Sequence, residues 1–103
     1  MKTAFKMHLK PGCKEEYRSR HAAIWPELKQ LLTQNGIADY TIFLDESTNT
    51  LFAVQHQSNN SSSQDLGADP IVQRWWAYMS DLMLTNPDNS PISEPLEQVF
   101  HMD

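Results

Sequence analysis

Apolar and polar positions alternate from the first residues of this chain. Phe5, Met7 and Leu9 share one face of residues 2–9, and Ala4, Lys6 and His8 share the other. A period of two predicts a strand, which Pro11-Gly12 ends. The period then lengthens. From about Cys13 to Asn35 the chain reads as helix, with Ile24, Leu28, Leu31 and Leu32 as its buried stripe. Pro26 interrupts that helix. It has no N–H to give the carbonyl of Ala22 and disfavours helical geometry at Trp25, so the helix kinks or restarts with Pro26 at its first position. Asn35-Gly36 is a C-terminal stop. Alternation returns over residues 38–44 and 51–57, two strands joined as a hairpin by the polar run Asp45 to Thr50. Residues 58–66 are rich in Ser and Asn and predict a mobile loop or a marginal helical turn. Asp69 before Pro70 is an N-cap followed by proline at the first helical position. The helix it opens runs to about Met83, with Ile71, Trp75, Tyr78, Met79 and Leu82 at helical spacing. A polar loop with Pro87, Pro91 and Pro95 leads to a last strand over residues 96–101.

The order β-α-β-β-α-β predicts an α+β, ferredoxin-like domain over residues 1–103, with an antiparallel four-stranded sheet and both main helices on one face. The strands carry apolar residues on both faces: Ile42 and Leu44 oppose Phe43, while Leu51 and Ala53 oppose Phe52 and Val54. A sheet with one solvated face should alternate cleanly. The second apolar face therefore calls for a cover, and the chain has no spare element to supply it. The expected cover is a second copy, giving a homodimer through the sheet face.

Composition narrows the function. The chain has 103 residues, enough for one domain with one core. Its net charge is -5, without a basic run, which argues against nucleic acid and against an anionic membrane surface. No apolar stretch approaches the roughly 20 residues of a membrane span. The first residues lack the apolar centre of a signal peptide. Cys13 is the sole cysteine, so no internal disulfide forms, and a cytoplasmic location is expected. With no base beside it, Cys13 is not read as a nucleophile. His8, His21, His56 and His101 form no close pair and have no cysteine partner, so no metal is expected. There is no P-loop and no G-x-G-x-x-G.

Two aromatic groups carry the candidate chemistry. Tyr17, His21 and Trp25 are each four residues apart, which stacks a phenol, an imidazole and an indole on one helical stripe just before the Pro26 break. A lone helical histidine is commonly a surface group, and aromatics at helical spacing are commonly core. A second group shifts the balance: Trp75 and Trp76 are adjacent on a helix and point about 100° apart. Both cannot enter one core stripe. Either both pack the helix onto the sheet from different sides, or one of them walls a cleft on which the C–H face of a pyranose stacks.

Together, Tyr17 to Leu28, Gln73 to Met79 and Asn86 to Pro91 resemble the L-rhamnose mutarotase family, over almost the whole chain and in order. The resemblance implies a dimeric ferredoxin-like α/β barrel that interconverts the anomers of L-rhamnose. It implies His21 as proton donor and places Tyr17, Tyr40, Trp75 and Trp76 at the sugar. Mutarotation opens the hemiacetal and recloses it on the other carbonyl face. That needs general acid and base catalysis, and neither metal nor cofactor. Histidine suits the task because its reference pKa of ~6.5 lies near working pH. The partner base is open, with Tyr17 a candidate whose unperturbed pKa of ~10 makes it weak at neutral pH. Two other readings stand beside this one. Cofactor-less oxygenases and lactone isomerases use the same dimeric plan, and a non-enzymatic sugar-binding module would need the same tryptophans.

Overall fold

The structure, a computed structural model, describes residues 1–58 and 62–103. The elements are β1 (Lys2–His8), α1 (Lys14–Ala22), α2 (Pro26–Gln34), β2 (Ile37–Asp45), β3 (Thr50–Gln57), α3 (Pro70–Met79) and β4 (Glu94–Leu96), with a 3₁₀ turn at Ser63–Asp65. The strands form one antiparallel sheet in the order β2-β3-β1-β4.

One face of the sheet carries the core. Phe5 lies opposite Ala53 and Met7 opposite Leu51, with Ile42 and Leu44 beyond them on β2. Tyr17 of α1, Leu28 of α2, and Val72, Trp75, Trp76 and Met79 of α3 join these residues in one buried cluster, so all three helices cover that face. Burying each such side chain contributes roughly 1.5–3 kcal/mol. The other face has Ala4, Lys6 and His8 of β1 beside Val54, Phe52 and Thr50 of β3. Glu94 of β4 ion-pairs there with Lys6 at 3.3 Å and meets His8 Nε2 at 2.7 Å. Among the described residues no helix covers this face, and Phe43 on it is 60% exposed.

The expected helix over 13–35 is two helices. Trp25 adopts extended geometry, φ −61 and ψ 131, and Pro26 opens α2. The anticipated restart at the proline is therefore what forms. The helix expected over 70–83 ends at Met79. Leu82 and Met83 are drawn off by the residues that follow β1: the Leu82 carbonyl accepts from Lys10 N–H, and Met83 bridges to Leu9. The buried stripe of α3 also differs. Val72 belongs to it, whereas Tyr78 is 44% exposed.

The last strand is corrected from 96–101 to Glu94–Leu96. Its register explains the shift. Leu96 pairs with Ala4 and the strands are antiparallel, so β1 runs out three residues later and offers nothing to Val99 or beyond. Val99, Phe100 and Met102 are left largely exposed. Part of the loop expected over 58–66 falls on residues 59–61, outside the described residues. Its described part is Ser58 and the 3₁₀ turn, where Ser62 and Asp65 cap reciprocally.

Candidate active site

Helix α1 is short and polar, and Tyr17 is its one buried residue. Tyr17 and His21, one turn apart, stack with ring centroids 4.3 Å apart. Trp75 from α3 meets His21 edge-on at 5.4 Å and Trp25 edge-on at 5.1 Å. The extended backbone at Trp25 lets that indole wedge between the two helices, against Trp75 and Tyr78. Tyr17 and His21 thus sit inside the site, whereas Trp25 braces it from behind.

Tyr40 arrives from the sheet by way of a bulge. Ala38 pairs with His56 and Thr41 with Val54, so Asp39 and Tyr40 together oppose Gln55. Asp39 takes φ 49, a left-handed conformation that Asp tolerates better than most residues. The extra residue resets the alternation. Ile37 and Tyr40 therefore both face the helices although three positions separate them, and Tyr40 packs against Phe5 at 6.5 Å. No strand pattern marked this bulge beforehand. The signal was the phase conflict between Ile37 and the Tyr40-Ile42-Leu44 set.

The two tryptophans divide as their 100° offset requires. Trp75 faces His21 and Trp25, and Trp76 faces Gly67. A Cβ on Gly67 would lie 2.8 Å from Trp76 Cζ3, so only glycine admits the indole there. Both tryptophans are at least nine-tenths buried, and both still line the site. A cleft of about 910 Å³ opens between the helices and β2. A smaller recess of about 40 Å³ lies behind it, toward Met79, Asn89 and Pro91. Tyr17, His21, Tyr40, Trp75 and Trp76 line both, together with Ile42 and Gln64. Sequence reasoning named the five aromatic and imidazole residues and missed Ile42 and Gln64.

Electrostatics assign protonation states. His21 Nδ1 lies 3.1 Å from the Tyr17 carbonyl oxygen. A carbonyl only accepts, so Nδ1 carries the proton and Nε2 is the nitrogen available to a ligand. Burial lowers the His21 pKa from its ordinary 6.5, only partly offset by the bond to Tyr17, so the ring is neutral at pH 7. Burial, and secondarily the neighbouring Tyr40, pushes the Tyr17 phenol well above its usual range. Tyr17 is therefore a neutral phenol at pH 7. Burial also raises Tyr40, against an opposing hydrogen bond from Ser63. The site thus offers one neutral imidazole and two neutral phenols, walled by indoles. Among the described residues no three or more His, Cys, Asp or Glu side chains lie together as a metal site would need.

Known proteins resemble this chain along almost its whole length. A family model described as L-rhamnose mutarotase matches residues 2–102. L-rhamnose mutarotases from Phocaeicola vulgatus and Bacteroides thetaiotaomicron are 61% and 62% identical over 100 residues, covering 97% of this chain and 96% of each relative. A crystal structure of L-rhamnose mutarotase from Formosa agariphila superposes with a TM-score of 0.93 at 53% identity, covering 100% of this chain and 99% of that one. With a match across nearly its full length at such identity, the chain belongs to the L-rhamnose mutarotase family.

Proposed function

We propose that this enzyme, an isomerase interconverting the α and β anomers of L-rhamnose, uses His21 to carry the proton of the anomeric hydroxyl. The single observation behind this is the His21 ring itself. It is stacked on Tyr17, held by its Nδ1–H on the Tyr17 carbonyl, and kept neutral with Nε2 open to a ligand. Neutral Nε2 accepts the hydroxyl proton as the bond between the anomeric carbon and the ring oxygen breaks. The ring oxygen takes a proton from a second group. The aldehyde then turns, and the imidazolium donates its proton to the carbonyl oxygen as the ring closes on the other face. His21 is thereby the donor in the closing half of each cycle. Trp75 and Trp76 give the sugar an apolar wall, and Tyr17 and Tyr40 give it phenol hydrogen bonds.

The strand order β2-β3-β1-β4, antiparallel throughout, supports the ferredoxin-like plan. Two exposed apolar features support a homodimer: the sheet face around Phe43, and the tail with Val99, Phe100 and Met102. A cytoplasmic location fits a lone free cysteine. The test is anomer exchange followed by saturation-transfer NMR over a panel of reducing sugars. L-rhamnose exchange should accelerate in proportion to enzyme. Binding of L-rhamnose without acceleration would leave a sugar-binding module instead.

A further inference from the structure

Behind Tyr40 lies a polar network whose direction is fixed. Gln55 is fully buried on β3, at 0% exposure, directly opposite the bulge that carries Tyr40. Its Oε1 lies 2.8 Å from the backbone N–H of Ser63. That N–H can only donate, so Oε1 is the acceptor, and the other end of the amide is the donor. Gln55 Nε2 donates to Ser63 Oγ at 2.9 Å. Gln64 Nε2 approaches the same oxygen at 3.4 Å. With its lone pairs so engaged, the Ser63 hydroxyl has its own proton to give, and Tyr40 Oη lies 3.4 Å away as the acceptor. Tyr40 Oη, receiving from Ser63, has its proton left for the cleft it lines.

We propose that Gln55 and Ser63 are positioning residues that set Tyr40 as the acid paired with His21. This rests on the mutarotase reading and supplies its second group. As the bond between the anomeric carbon and the ring oxygen breaks, the Tyr40 Oη–H bond breaks and an O–H bond forms on the ring oxygen. The phenolate oxygen keeps the hydrogen bond from Ser63, which shortens as negative charge gathers there. Ring closure returns the proton to Tyr40, so the cycle balances without a co-reactant. Burial opposes ionisation of both phenols, and at Tyr40 the hydrogen bond from Ser63 acts against that penalty.

A double-mutant cycle tests this on L-rhamnose exchange. Ser63→Ala should lower kcat about tenfold in the wild-type background, the size of one hydrogen bond to a developing charge. In a Tyr40→Phe background the same change should cost less than about twofold, because its target is gone. A merely structural role for Ser63 would cost the same in both backgrounds, and that result overturns the proposal. Gln55→Glu is the second variant and serves if Ser63→Ala fails to fold. It keeps the Ser63 N–H contact and, once ionised, makes both side-chain oxygens acceptors; because burial favours the protonated acid, the variant is assayed at alkaline pH. Ser63 then donates to Glu, and Tyr40 must donate to Ser63 rather than to sugar. Its kcat should fall at least as far as that of Ser63→Ala, again only where Tyr40 is present. If Tyr40→Phe leaves kcat unchanged while His21→Ala abolishes exchange, this inference fails and the mutarotase reading stands. If both variants exchange L-rhamnose at the wild-type rate, the reading of the site fails with it.

Discussion

At the scale of single residues, the proposed mechanism requires a neutral His21 and a fixed Trp76. Burial depresses the His21 pKa below 6.5. If neutral Nε2 starts the cycle, kcat/KM should be flat above neutrality and fall as pH drops through that lowered value. A profile that rises toward acid would make the imidazolium the starting form and sink the assignment. His21→Ala should lower exchange by roughly 10²-fold or more while circular dichroism stays native, because the ring fills a cleft wall and not the core. Trp76 is held from behind by Gly67, whose missing Cβ leaves room for the indole. Gly67→Ala should therefore push Trp76 toward the sugar. KM should rise, and stability should fall by about 1–3 kcal/mol, the usual cost of overpacking. An unchanged KM in a destabilised variant would make Trp76 a packing residue only. Helical spacing grouped Tyr17 with His21 and set Trp75 beside Trp76, but it grouped Trp25 with them too, and the resemblance to the mutarotase family was what singled out these four and Tyr40. The Gln55–Ser63 pair was not legible in sequence. Its members sit on a strand and in a Ser-rich run, and neither position carries a local signal.

At the scale of elements, the site exists only if α1 and α3 hold their spacing. Arg20, next to His21, does much of this. Its Nη1 donates to Asp81 Oδ1 at 2.8 Å and to the Tyr78 carbonyl at 2.6 Å, its Nη2 to Asp81 Oδ2 at 3.1 Å, and its Nε to Glu16 at 2.8 Å. The guanidinium also lies 4.6 Å over the Tyr78 ring. An exposed ion pair contributes only about 0–1 kcal/mol, so the consequence should be geometric more than energetic. Arg20→Lys keeps the charge but loses the planar fork. Exchange activity should fall several-fold with little change in melting temperature. Equal losses in both would reduce Arg20 to a stability residue. The break between α1 and α2 was readable because proline acts on its own neighbours. The end of α3 and the extent of β4 were not, because each is decided by β1 or the residues that follow it, partners distant in sequence. The bulge at Asp39 belongs to the same class: alternation predicts a strand, but only the register against β3 shows where it slips.

At the scale of the molecule, the sheet face away from the helices is the feature the single chain leaves unfinished. It mixes apolar residues with the Lys6–Glu94–His8 cluster, and Phe43 stands 60% exposed on it. The tail beyond β4 adds three largely exposed apolar side chains, Val99, Phe100 and Met102. A second copy laid on this face would cover Phe43, and an obligate interface of this kind buries about 2,000 Å² or more. Phe52 is the residue to change. On β3 it lies between Lys6 and Phe43, near the middle of the face, and lines neither cavity. It is already partly exposed in the lone chain, so Phe52→Glu opens no cavity in the core. Across a two-fold interface the new carboxylate would be desolvated twice, once from each copy. Wild-type protein at low micromolar concentration should sediment at about twice 11.9 kDa, and Phe52→Glu should shift it toward 11.9 kDa. Tyr17, His21, Tyr40, Trp75 and Trp76 line the cleft from one chain, so a folded monomeric variant should still exchange L-rhamnose anomers. A wild-type protein sedimenting only at 11.9 kDa would remove the homodimer. A monomeric variant that is folded but inactive would instead show that the second copy completes the site.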